Sequence, residues 1–168
     1  MSPRKSTTQA KLAEAPVANE ATGTADATSK GGSDAALFVA TLDVRWRDLD
    51  AFNHVNNANY LTYLEEARLQ WLKGVREWFS ETAMPVLAAS TLNYRQSIAW
   101  PASLHIELRR ERLGNSSITL AHRIVDADDT SRLYCDGHVV LVWMNPITGK
   151  PVSLPEAIRV AANEHKSD

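Results

Sequence analysis

Apolar and polar positions alternate at the start of the patterned part of the chain: Phe38, Ala40, Leu42, Val44 and Trp46 are interleaved with Asp43, Arg45 and Arg47. That period of two predicts a β-strand running to Trp46. The alternation stops at Asp48, where Asp48, Asp50, Asn53, Asn56 and Asn57 crowd into ten residues. Short polar side chains that bond nearby backbone favour turns and caps, so this stretch reads as a loop. The period then changes. Leu61, Leu64, Ala67, Trp71, Leu72, Val75 and Phe79 recur at three- and four-residue spacings, while Glu65, Glu66, Arg68 and Lys73 fall elsewhere. The spacing predicts a helix over 58–79, capped by Asn56 or Asn57 and weakened near Gly74.

Beyond Pro85 the period returns to two. Leu104, Ile106 and Leu108 alternate with His105, Glu107 and Arg109, and after a turn at Gly114-Asn115 the residues Ile118, Leu120 and Ile124 continue the pattern. Across 133–144, Leu133, Cys135, Val139, Leu141 and Trp143 form one apolar face while Val140, Val142 and Met144 make the other apolar too. A strand apolar on both sides is covered on both sides, here by the helix and by another subunit. Residues 145–149 read as a turn and 154–163 as a short terminal helix or extension. The order is one strand, one long helix and about four antiparallel strands, an α+β arrangement. Residues 1–36 have almost no large apolar side chain and read as a disordered tail; the folded domain is expected over 37–168.

Composition narrows the function. At 168 residues the chain suits one domain rather than two. A formal net charge of −2 gives no basic surplus for nucleic acid. Cys135 is the sole cysteine, which excludes an internal disulfide and fits a reducing, cytoplasmic setting. No apolar run reaches the roughly 18 residues that suggest a membrane span, and no secretory signal pattern is present.

The stretch VRWRDLDAFNHVNNANYLTYLEEAR, residues 44–68, closely resembles the hotdog-fold thioesterases of the 4-hydroxybenzoyl-CoA type. It is most similar to their long-chain acyl-CoA thioesterase branch, as is the later run from Leu92 to Arg95. The resemblance implies a long central helix wrapped by a five-stranded antiparallel sheet. It also implies a homodimer or homotetramer in which two subunits join sheets across an interface holding two active sites, with acyl-CoA as substrate.

A thioester is hydrolysed when its carbonyl oxygen is polarised while a nucleophile or an activated water attacks its carbon. Backbone N–H groups at a helix start lack intrahelical acceptors and carry partial positive charge. The resemblance selects the Asn57 amide as oxyanion donor and aligns Asp50 with the family's catalytic carboxylate, either nucleophile or general base. His54, between them, either orients water or the thioester sulfur or bonds the loop. Asn53 and Asn56 read as caps, Asp48 as a loop-bonding or exposed residue, and Glu65 and Glu66 as helix-face or subunit-contact residues. His122 and His138 read as satisfied core or interface histidines and Cys135 as a small buried side chain. Arg95, Arg109, Arg110 and Arg112 are the candidate cations for coenzyme A phosphates. Tyr60, Phe52, Leu64 and Trp71 are candidates for lining an acyl channel, with plain core packing the other reading of each. No metal spacing, glycine-rich phosphate loop or dinucleotide fingerprint is present, so no cofactor is expected. Two other readings stay open: a hotdog dehydratase or hydratase, and a non-catalytic acyl-thioester-binding protein.

Overall fold

The computed structural model describes residues 36–164. The proposed disordered tail therefore lies outside the described residues, apart from its last position. Five strands and two helices follow one another: β1 (Phe38–Asp43), α1 (Asn57–Lys73), β2 (Met84–Tyr94), β3 (Ser103–Leu113), β4 (Ser117–Asp126), β5 (Leu133–Met144) and α2 (Glu156–Asn163). The strands form one antiparallel sheet in the order β1-β3-β4-β5-β2.

Two boundaries differ from the sequence expectation, each for a local reason. The first strand ends at Asp43, and Trp46–Asp48 form a single 3-10 turn. The cause is the Asp48 carboxylate, which folds back to accept hydrogen bonds from Arg45 Nε at 2.8 Å and Nη2 at 3.0 Å. That reversal turns Trp46 outward, with 68% of its surface exposed.

The long helix stops at Lys73, six residues before Phe79. Gly74 closes it through its N–H to the carbonyls of Leu72 and Trp71. The residues beyond fold back on the sheet instead. Trp143 Nε1 donates to the Trp78 carbonyl at 2.8 Å, and the rings of Trp78 and Phe79 pack with centroids 4.5 Å apart.

The core lies between α1 and the concave face of the sheet. Leu64, Ala67, Trp71 and Leu72 of α1 are buried together with Leu104, Ile106, Leu108, Ile118, Leu120 and Ile124. Each fully buried large aliphatic of this set stabilises the fold by roughly 2 kcal/mol. On α2, Ile158 and Ala162 are buried, and the helix packs on β3.

His122 departs from expectation. It faces the interior of β4, opposite Leu108 and Gly137, and is 2% exposed. Neither ring nitrogen has a hydrogen-bond partner among the described residues, so it is buried but not satisfied. Loss of solvation, reinforced by the charges of Arg68 and His138, pushes its pKa down to about 4. Cys135 is buried as expected, and burial raises its thiol to about 11.

β2 is an edge strand paired only with β5, and most of its eleven residues are exposed, including Met84, Val86, Leu87 and Tyr94. Among the described residues no helix is long and apolar enough to cross a membrane.

Candidate active site

The loop between β1 and α1 is built on Asp48. Its side chain is buried and accepts from Arg45 and, at 2.7 Å, from the Tyr63 hydroxyl of α1. Its main-chain carbonyl accepts from the Asn56 N–H at 2.9 Å and from Asn59 Nδ2 at 2.8 Å. Both ends of the loop are thereby fastened to one residue. Arg45 and Tyr63 hold the Asp48 carboxyl below its ordinary range, against the opposing effect of burial.

Asp50 lies two residues on. Its Oδ1 accepts from the N–H of Phe52 at 2.8 Å and of His54 at 3.2 Å, and its own N–H donates to the His54 carbonyl at 2.7 Å. The tight turn places Asn53 at φ 63°, a left-handed conformation that asparagine tolerates better than most residues. One carboxylate oxygen thus fixes the loop, while Oδ2 makes no hydrogen bond with a described residue. Asp50 is both a loop-bonding residue and a wall of the cavity beyond it.

Asn56 caps α1 by accepting from the Ala58 N–H at 3.0 Å, so Asn57 is the first helical residue. The Asn57 N–H has no acceptor among the described residues. Such an amide, aligned with the positive end of the helix dipole, is an anion donor in waiting.

These groups meet in a cavity of about 260 Å³ lined by Asp50, His54, Asn57, Tyr60, Tyr94 and Arg95, with Val55, Gln96 and Ser97 completing the wall. Tyr60 is buried, and its loss of solvation raises the phenol to about 12. Its ring meets Tyr94 edge to face, centroids 5.0 Å apart, and the Tyr94 hydroxyl donates to the Asn57 carbonyl at 3.3 Å. Arg95 is pinned by Asp136, with Nε at 2.9 Å from Oδ2 and Nη2 at 3.0 Å from Oδ1, while Asn93 Nδ2 donates to the same carboxylate at 2.8 Å. The pair raises the arginine further above its ordinary value and lowers the aspartate.

Five of the residues singled out from sequence therefore meet: Asp50, His54, Asn57, Tyr60 and Arg95. The others do not. Phe52 sits on the exposed tip of the loop with 81% of its surface open, because Asp50 turns the chain there. Leu64 is completely buried in the core and does not reach the cavity. Trp71 likewise packs inward and lines a separate groove with Leu37, Phe38 and Val75. Of the other arginines, Arg109 bonds Glu107 at 3.2 Å and Arg110 bonds Asn163. Glu66 accepts from Gln70 and lines a different groove beside Arg45. Tyr63 and Asp136, which hold the site's loop and its arginine, carried no signal of their own in the sequence; each acts through a partner distant in the chain.

A five-stranded antiparallel sheet of this order around one long helix defines a hotdog fold. Residues 44–162 match the family model described as the thioesterase-like superfamily, and the chain belongs to that superfamily. It is 28% identical over 128 residues to the acyl-CoA thioester hydrolase YbgC of Escherichia coli, covering 73% of this chain and 92% of that protein. Among solved structures, the PA2801 protein of Pseudomonas aeruginosa is 37% identical with a TM-score of 0.70, over 75% of this chain and 98% of the other. A thioesterase of Thermus thermophilus solved with coenzyme A and zinc is 32% identical, TM-score 0.65, over 77% and 93%.

Proposed function

We propose that this chain hydrolyses an acyl-CoA thioester to a free carboxylic acid and coenzyme A, using Asp50 as nucleophile or general base and the Asn57 amide as oxyanion donor. Thioester hydrolysis follows from membership of the superfamily. The observation that carries the residue assignment is that the Asp50 carboxylate and an Asn57 N–H without an acceptor line the same cavity.

The thioester carbonyl lies with its oxygen toward Asn57. Either Asp50 Oδ2 attacks the carbon, giving an anhydride that water opens, or it takes a proton from a water that attacks. In both routes negative charge grows on the carbonyl oxygen, where a preorganised N–H stabilises it. Collapse expels the coenzyme A thiolate, which takes up a proton. The backbone bonds to Asp50 Oδ1 hold the carboxylate in one orientation, so no rotamer need be frozen when substrate arrives. His54 is positioned to orient water or the sulfur, and the uncommitted Nη1 of Arg95 at the cavity wall suits a coenzyme A phosphate.

The working unit is a homo-oligomer. The long open edge of β2 with its exposed apolar residues is the surface a second copy would cover. Release of free thiol from a panel of acyl-CoAs tests the reading: turnover on the best substrate should fall by at least about 100-fold in Asp50→Asn. Equal activity of the two proteins would remove Asp50 from the chemistry.

A further inference from the structure

Arg68 is the anomaly of the helix. It is 7% exposed, yet its guanidinium makes no hydrogen bond or ion pair with any described residue. Glu65, one turn back, is exposed, and its charge only partly offsets the loss of solvation that lowers the arginine below its ordinary value. A largely buried cation with no hydrogen-bonded carboxylate is costly, and a cavity beside it offers a place for an anion to bind. The arginine lines a cavity of about 200 Å³ whose other walls are largely apolar, among them Leu69, Leu72, Trp78, Leu87 and Leu141. His122, buried with both nitrogens unpartnered, lies within electrostatic reach of the same guanidinium.

The position of this cavity relative to the reaction site is set by two elements. At one end α1 and β2 are tied by the Tyr94 hydroxyl on the Asn57 carbonyl. At the other, Arg68 and Leu72 of α1 share a cavity with Pro85 and Leu87 of β2. Between these two points the middle of β2 is Ala88, Ala89, Ser90 and Thr91, small and exposed. From Asn57 to Arg68 is about three helical turns, roughly 16 Å along the axis and within about 20° of the same face.

Resting on the hydrolase reading of the Asp50 site, we propose that the Arg68 cavity binds the charged far end of the acyl group, making ω-carboxyacyl thioesters with a chain of about a dozen carbons the preferred substrates. A terminal methyl there leaves the guanidinium desolvated and unpaired. A terminal carboxylate meets it with two parallel hydrogen bonds while the methylenes lie on Leu69, Leu72 and Leu87. The reaction is otherwise unchanged: water adds across the C–S bond, giving a dicarboxylate and the free thiol.

The test compares kcat/KM for dodecanedioyl-CoA and dodecanoyl-CoA in the wild type, Arg68→Met and Arg68→Lys. The expected result is a preference of about tenfold or more for the dicarboxylic substrate in the wild type, expressed mainly in KM, abolished in Arg68→Met and partly restored in Arg68→Lys. Equal rates in the wild type, or a preference that survives Arg68→Met, overturn the proposal. A binding arm separates this site from the chemistry: dodecanoate should stabilise the wild type to heat more than dodecan-1-ol does, and lose that advantage in Arg68→Met. If no thioester is turned over, the hydrolase reading fails and the binding arm alone decides for or against the anion site. If Arg68→Met does not fold, the lysine variant and the wild-type ligand comparison decide. Dissociation of the oligomer in Arg68→Met, reversed in Arg68→Lys, would assign the counter-ion to a partner subunit and overturn the proposal.

Discussion

The hydroxyl of Tyr63 donates to Asp48 Oδ2 at 2.7 Å across fifteen residues, joining the second turn of α1 to the loop that carries Asp50. Both groups are buried, so the bond is made in a medium that strengthens it and would penalise its loss. Removing the hydroxyl in Tyr63→Phe leaves Asp48 with Arg45 alone. The expected cost is about 1.5 to 3 kcal/mol in a urea titration. Because Tyr63 acts through the loop and touches no substrate, kcat should fall more than KM rises.

Asp48 and Asp50 are separated by one residue and should respond in opposite ways to the same change. Asp48→Asn discharges a buried carboxylate that accepts from Tyr63 and from the exposed Arg45, and should lower stability measurably. Asp50→Asn keeps an oxygen able to accept from the Phe52 and His54 amides, so the loop persists. Its thermal midpoint should stay within a degree or two while turnover collapses. A large loss of stability in Asp50→Asn would identify the residue as structural instead.

His122 makes stability depend on pH. It faces Arg68, with His138 and Asp136 also within electrostatic reach, and its folded pKa of about 4 lies below the ordinary 6.5. Between those values the unfolded chain takes up a proton that the native chain refuses, so stability falls as pH falls through this window and levels off below it. The loss should approach about 2 to 3 kcal/mol. Asp48 adds a further loss only as pH drops below the ordinary 3.8. Denaturant midpoints measured from pH 7 to pH 4 should slope downward in the wild type and flatten in His122→Leu.

Gly137 is held by crowding. A Cβ built there would lie 1.9 Å from the Thr91 carbonyl oxygen on β2 and 3.0 Å from His122 Nε2. The first contact is backbone and cannot step aside without breaking the β2–β5 pairing. Gly137→Ala should cost about 3 kcal/mol or more, and hydrogen exchange should show the loss of protection concentrated in β2.

The open edge of β2 gives a prediction about assembly. Met84→Lys with Val86→Lys places two charges on a surface that a second copy would have to desolvate. Sedimentation should show the wild type as an oligomer and the double variant as a monomer, with activity lost in proportion. A wild-type monomer that turns over acyl-CoA would show that the single subunit suffices.

Much of this was legible in the chain. Periodicity located β1, β3, β4, β5 and the start of α1, because those elements bury one face and their apolar spacing records it; β2, exposed along most of its length, carries no such record. The apolar spacing overran the ends of β1 and of α1 for reasons that periodicity cannot encode. Trp46 continues the strand alternation but is turned out by a side-chain bond two residues later. Val75 and Phe79 continue the helical spacing, yet Gly74 and the bond from Trp143 to the Trp78 carbonyl bend the chain away. The site was legible as far as the motif reached, over Asp50, His54, Asn57 and Tyr60. Its supports were not: Tyr63 for Asp48, and Asp136 for Arg95, are pairings between distant residues that no local pattern announces. Nor did spacing distinguish a polar residue with partners from one without, which is why His122 was misjudged.

The double fastening of the Asp50 loop to Asp48 has an engineering consequence. Ala51, Phe52 and Asn53 form an exposed tip between two anchored ends. A reporter dye attached through Phe52→Cys would ride beside the cavity while leaving the scaffold beneath it untouched, turning the loop into a gauge of occupancy.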